Sequence, residues 1–213
     1  MTRYFYKETG MYIDWDQIKN LPNIDTFIDV GVGPDGTPDL YEKFSNKKLL
    51  LIDPLDEAEE FYNNKMKDAD AIFFKTALGE KAESLKINVE ENIGRSTMLD
   101  VSDINFEGDP IDKRTIQVDT LDNILSENDY GKLGIKIDTE GFELNVIKGA
   151  KNTLTKTKFV IAEVRHNHES FKGVYKLHEF IAEMHNNGFV LSMILSAKPF
   201  IADLCFQPIV DLQ

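Results

Sequence analysis

Short apolar or β-branched runs alternate along this chain with stretches whose apolar residues recur every three or four positions. The runs at 26–30, 48–53, 71–77, 133–138, 159–164, 189–195 and 204–209 predict strands of a sheet covered on both faces, where little polar alternation is needed. Helical stripes lie between them. Leu40, Tyr41 and Phe44 share one face, and a helix after Asp56 would bury Ala58, Phe61, Tyr62 and Met66. Leu121, Ile124 and Leu125 follow the cap residues Asp119-Thr120, and Phe142, Val146 and Ala150 follow Gly141. Val174, Leu177, Ile181 and Met184 form the clearest stripe, closed by Asn187-Gly188. Strand and helix in turn predict a doubly wound α/β sheet.

One stretch breaks the alternation. Residues 79–118 hold two segments of period two, 84–89 and 114–118, which predict an added antiparallel pair at the sheet edge. The polar loop between them, 92–112, is a candidate lid over a substrate. The organisation expected is one domain over 1–213, with an N-terminal extension at 1–22 and this inserted hairpin at 79–118. Trp15, within the extension, suits core or lid packing. Neither internal repeats nor low-complexity linkers interrupt the pattern.

The first predicted strand runs into the densest chemical signal, Asp29-Val30-Gly31-Val32-Gly33-Pro34-Asp35-Gly36. Glycine occupies three of six loop positions, and Thr37-Pro38-Asp39 behind it starts a helix, with Thr37 able to cap free amides and Pro38 at the first turn. Strand, glycine loop and helix let a nucleotide-like ligand approach bare backbone. Asp53 ends the next apolar run 20 positions after Gly33, where a carboxylate can hold two ribose hydroxyls. Both NAD and S-adenosylmethionine use such a site. Asp29, two residues before the first glycine, suits an ammonium and would repel a pyrophosphate. Pro34 and Asp35 likewise stand where a pyrophosphate wants free amides. No Tyr-x-x-x-Lys spacing exists for hydride transfer, and about fifty residues after the fifth strand leave no room for a second substrate domain. S-adenosylmethionine is the expected cofactor.

Charge narrows the partners. The formal net charge of -13 is spread along the chain, which disfavours nucleic acid and anionic membranes. Lys47-Lys48 and Lys156 to Lys158 are too short for a basic patch and read as solvated surface. Base methylation is further disfavoured because there is no Asn/Asp-Pro-Pro-Tyr run and Cys205 is not preceded by proline. As the single cysteine, Cys205 excludes an internal disulfide and reads as a buried thiol. With no apolar leader or membrane-length run, the expectation is a cytoplasmic protein.

Several segments together resemble the FkbM-type methyltransferases. They are Asp29 to Gly33, Asp53-Pro54, Ala77-Leu78-Gly79, Val118 to Asp122 and, most specifically, Lys136-Ile137-Asp138-Thr139-Glu140-Gly141 followed by Lys148-Gly149-Ala150. The resemblance runs from about Phe27 to Glu163. It departs where Gly33 stands at the usual Asn and the next glycine shifts by one, to Gly36. It implies a class I methyltransferase fold, Rossmann-like and seven-stranded with the last strand antiparallel, and O-methylation of a small-molecule or carbohydrate hydroxyl.

On that basis the candidate cofactor residues are Asp29, Gly31, Val32, Gly33, Asp53, Pro54, Ala77 and Leu78, the last two beside the adenine. The catalytic candidates are Asp138 and Glu140, which end the fourth core strand one residue apart, and His166 after the fifth. A buried carboxylate or an imidazole can remove the hydroxyl proton, and which of the three acts stays open. A divalent metal on His166, His168 and Asp138 is the weaker reading, and no metal is expected. Ser96 and Thr97 suit a ligand contact or a loop cap equally. His178 and His185 read as surface residues. The competing functions are a non-catalytic S-adenosylmethionine-binding partner or sensor and an NAD-linked enzyme.

Overall fold

A computed structural model describes residues 4–6, 11–13, 15–101, 112–166 and 171–211. Its main sheet contains β1 (Thr26–Val30), β2 (Lys48–Ile52), β3 (Ala71–Phe74), β7 (Leu133–Ile137), β8 (Thr157–Arg165), β9 (Phe189–Ala197) and β10 (Ile201–Pro208). A second, three-stranded sheet contains β4 (Ala77–Leu78), β5 (Glu83–Val89) and β6 (Asp112–Asp119). The seven core strands lie in the order β9-β10-β8-β7-β1-β2-β3. Pairing is parallel from β8 through β3, and β10 runs antiparallel to both of its neighbours. All five residues of β1 and of β7 are buried, which explains why these runs carry no polar alternation. Beyond β9 the sheet gains two strands that the sequence pattern does not announce, Met11–Ile13 and Tyr4–Tyr6.

The added hairpin is present, with one correction. Its strands β5 and β6 pair antiparallel with each other, and β6 pairs parallel with β4, rather than extending the main edge. The long predicted strand 71–77 is divided accordingly. β3 stays in the main sheet, the chain breaks at Lys75-Thr76, and Ala77-Leu78 cross to the smaller sheet. Part of the polar loop, residues 102–111, lies outside the described residues.

Helices cover both faces: α1 (Pro38–Lys43), α2 (Asp56–Phe61), α3 (Leu121–Ile124), α4 (Glu143–Lys148), α5 (Lys151–Leu154) and α6 (Leu177–Asn186). One face packs Ile28, Leu50, Ile135 and Val160 against Val146, Ile147, Phe180 and Met184. The other packs Phe27, Leu49, Leu51 and Ile161 against Leu40, Phe44 and Ala58. Here the rings of Phe27, Phe44 and Phe159 stack, with centroids 5.2 Å apart for Phe27–Phe44 and 5.8 Å for Phe44–Phe159. Ile181 differs from expectation and is exposed. Because α6 begins only at Leu177, Phe180 and Met184 take the inward positions. Cys205 is buried as expected, and burial pushes its thiol up to about 12. Among the described residues no helix is long and apolar enough to cross a membrane.

Phe159→Ala would leave the Phe27 and Phe44 rings facing a void. The expected cost is about 3–5 kcal/mol of unfolding free energy, measured by urea denaturation with the slope unchanged.

Candidate active site

The strand ends are laced together at the carboxyl edge of the sheet. The Gly31 amide donates to the Ile52 carbonyl and the Asp138 amide to the Val30 carbonyl, each at 2.9 Å. Gly31 has φ +82°, and a Cβ placed there would lie 1.7 Å from the Asp138 carbonyl oxygen. No other residue fits. Gly36, the shifted glycine, has φ +63°, and a Cβ there would come within 2.5 Å of the Tyr41 ring. Between them Gly33 faces open space, its amide donating to Asp53 Oδ2 at 3.0 Å. Asp53 Oδ1 accepts from the Leu55 amide at 2.9 Å. Burial raises the Asp53 carboxyl to about 6 against the pull of these two amides.

Gly31, Val32, Gly33, Asp53, Pro54, Ala77 and Leu78 line one cavity of about 220 Å³. The inserted segment forms its opposite wall with Ile87, Ile93, Gly94, Ser96 and Met98. Lys136, Asp138, Thr139 and Glu140 close one end. Asp29 is different. It is fully buried beneath the loop and does not line the cavity, because its Oδ2 accepts from Tyr41 (2.5 Å) and Thr37 (3.0 Å) on the α1 side. Thr37 therefore makes no side-chain cap to the helix it precedes, against expectation, since its hydroxyl is committed to Asp29. Asp29 Oδ1 is left without a hydrogen bond, 4.0 Å from the Lys136 ammonium.

Lys136 is the hinge of the local electrostatics. It sits directly across from Asp29 in the parallel β1–β7 register and reaches Asp138 Oδ2 at 3.0 Å. Burial works against its charge, but Asp138 and Asp29 outweigh burial and hold the ammonium above its ordinary range. Next along the chain, Glu140 is the one non-glycine residue with positive φ (51°) among those described. Such a backbone costs on the order of 1–3 kcal/mol and persists where the surroundings fix it. The surroundings here are explicit. Glu143 Oε1 accepts from the Thr139 amide and hydroxyl and from the Gly141 amide, and Thr97 donates to the Glu140 carbonyl at 2.7 Å.

The Glu140 carboxylate pairs with Arg165 and is only partly exposed. Burial and the Asp138 charge push its pKa to about 7 in spite of Arg165. Oxygens of Asp138, Glu140 and Glu163 lie within 4.8 Å of one another, the one group among the described residues with the spacing of metal ligands. Lys136, Arg165 and Lys198 supply counter-charge to these three acids from within the chain. Burial, then Asp138, Asp203 and Glu140, raise Glu163 to about 8.

The family model for the methyltransferase FkbM domain matches residues 22–191, most of the chain and every element that builds this cavity. The chain belongs to the FkbM methyltransferase family. Its fold is shared by the FkbM methyltransferase of Methylobacillus flagellatus KT, with a TM-score of 0.56 at 14% identity over 91% of this chain. This chain spans about half of that protein, 48% of its length. A protein of Listeria monocytogenes assigned as an S-adenosylmethionine-dependent methyltransferase aligns at TM-score 0.50 and 13% identity, covering 91% of this chain and 97% of its own. No curated protein matches.

Not every candidate residue of this FkbM-family chain reaches the cavity. His166 is exposed and outside it; its amide donates to the Phe200 carbonyl and its Nε2 contacts the Lys198 carbonyl at 3.0 Å. His168 lies outside the described residues. His178 and His185 are exposed on α6. Sequence reasoning missed Glu163, Lys136 and the buried turn-former Glu143. Glu163 had a signal, because it lies near the end of the strand beside the one that runs into Asp138. Glu143 stands in the run that carries the resemblance, but nothing along the chain marks it as the acceptor that holds the turn.

Glu140 and Glu163 bind their protons more tightly in the folded chain than at the ordinary glutamate value of 4.5. Folding therefore takes up protons between those values, and stability falls as pH rises from about 4.5 to about 8. Thermal unfolding midpoints should decline across this window, and the decline should flatten in Glu163→Gln. A midpoint that rises with pH through the window would contradict the assignment.

Proposed function

We propose that this methyltransferase binds S-adenosylmethionine in the cavity between the glycine loop and the inserted segment. We further infer that it methylates a hydroxyl of a small molecule or carbohydrate. The carrying observation is that Glu140 and Asp53 line the same cavity as the side-chain-free floor at Gly31 and Gly33. The residues fit such a cofactor chemically. Bare backbone tolerates close approach, Asp53 offers acceptors to neighbouring hydroxyls, and Leu55, Ala77, Leu78 and Ile87 give an apolar wall for a base. Bound there, the cofactor supplies an electrophilic methyl group on a sulfonium.

The chain's own residues do the rest. Glu140, with a carboxyl near neutrality, is suited to take the acceptor's proton at working pH. Lys136 fixes the Asp138 side chain at 3.0 Å, which suits it to orient the acceptor. Arg165 keeps the Glu140 carboxylate in one place, and a fixed approach matters because displacement at carbon demands an in-line oxygen. Asp29 acts from below, tying the glycine loop to α1 through Thr37 and Tyr41. The inserted segment screens the cavity and is the proposed lid.

Calorimetry tests the cofactor. S-adenosylmethionine and S-adenosylhomocysteine should bind and NAD should not, and Asp53→Ala should weaken binding about tenfold or more. Tight NAD binding with no response to S-adenosylhomocysteine would sink the proposal. Binding with no transfer to any hydroxyl acceptor would leave a non-catalytic sensor instead. With labelled methyl donor and an acceptor panel, Glu140→Gln should slow transfer by about 10²–10⁴-fold at saturating cofactor. Unchanged turnover in Glu140→Gln, Asp138→Asn and His166→Ala would remove acid–base catalysis.

A further inference from the structure

Thr97 does not itself line the cavity, yet it is fully buried at the point where the inserted segment meets the catalytic edge. Its backbone pairs with Asn88 in both directions, amide to carbonyl at 3.0 Å and carbonyl to amide at 2.8 Å. The Asn88 side chain then donates to the Leu99 carbonyl at 2.7 Å, closing residues 88–99 into a fixed loop. The Thr97 hydroxyl accepts from the Leu99 amide at 3.2 Å and spends its own proton on the Glu140 carbonyl. Its immediate neighbours Ser96 and Met98 face the cavity.

We propose that Thr97 is a positioning residue: by holding the Glu140 carbonyl it fixes the left-handed backbone of Glu140 and so presents the carboxylate beside Asp138, Glu163 and Arg165. The inserted segment thereby does two jobs with adjacent residues. Ser96 and Met98 wall the cavity, and Thr97 sets the group that closes its end. The turn is pinned from both directions, its amides by Glu143 and its carbonyl by Thr97. A hydroxyl at position 97 is the requirement, because a methyl group there would leave a buried carbonyl without its donor. Serine satisfies it and valine, of nearly the same shape, does not. This inference rests on the proposed role of Glu140, but its test does not need the methyl acceptor.

Protein labelled with ¹³C at the glutamate carboxyl carbon gives the titration of Glu140 directly, with Glu140→Gln assigning the signal. In wild type the signal should titrate near 7. In Thr97→Val the midpoint should fall by one unit or more, as the freed turn lets the carboxyl move toward water, and in Thr97→Ser it should stay at the wild-type value. S-adenosylhomocysteine affinity, read by calorimetry on the same samples, should change less than about threefold, within the spread of a single lost neutral contact. Thr97→Ala is read in the same way should the valine protein not fold. A folded Thr97→Val or Thr97→Ala protein whose Glu140 titrates as in wild type would overturn the proposal. Failure of wild type to bind either cofactor form would instead remove the methyl-transfer reading, leaving the Thr97–Glu140 coupling to be decided by the titrations.

Discussion

At Gly31 the backbone approaches the Asp138 carbonyl so closely that the chain has no room for a single extra carbon. This contact joins the ends of β1 and β7, the two central strands, and the site depends on it. Because β1 stops there, the loop can turn under the cavity and deliver Gly33 to Asp53. Because β7 is drawn against it, Asp138 and Glu140 emerge at the same level as that loop. The methyl donor and the acidic end of the cavity are thus proposed to meet where two parallel strands are spliced by backbone alone.

Charge is managed by interleaving. Buried or half-buried acids at Asp29, Asp138, Glu140, Glu163 and Asp203 would repel one another beyond tolerance in a dry interior. Lys136, Arg165 and Lys198 lie among them, and each is supplied by a strand end or by the loop next to one. The arrangement leaves Asp138 matched with a lysine while Glu140 and Glu163 stay raised. The neighbouring Glu140 and Glu163 carboxyls thus both hold a proton more readily than an ordinary glutamate.

Much of the fold was legible because the strands that build it are buried on both sides and so read as unbroken apolar runs. Seven runs gave the seven core strands, and the glycine loop with Asp53 marked residues that do share a cavity. Legibility failed where tertiary context decides. Nothing in Ala71 to Ala77 says that the chain leaves one sheet for another at Lys75-Thr76. The hold of Thr37 and Tyr41 on Asp29 Oδ2 was not foreseen, being a partnership set by helix packing rather than by spacing. Lys136 stood in plain view in the motif and Glu163 within an apolar strand, yet only their neighbours across the sheet give them a role. The left-handed turn at Glu140 is likewise invisible to a pattern that reserves such backbone for glycine.

The position of β10 has a bearing on how the protein is made. It is the last strand in sequence among those described, yet it lies between β8 and β9 and hydrogen-bonds to both. On the ribosome β8 and β9 are complete before their shared neighbour exists, and their facing edges stay open until residues 201–208 emerge. The strands from β3 to β8 can assemble early, through parallel pairings that need nothing downstream. The seventh strand then slots into a gap held for it. Chain synthesis leaves a late interval in which most of the core sheet is finished and two unpaired edges await a single partner, the stage at which a growing chain of this design is most exposed to pairing with the wrong strand.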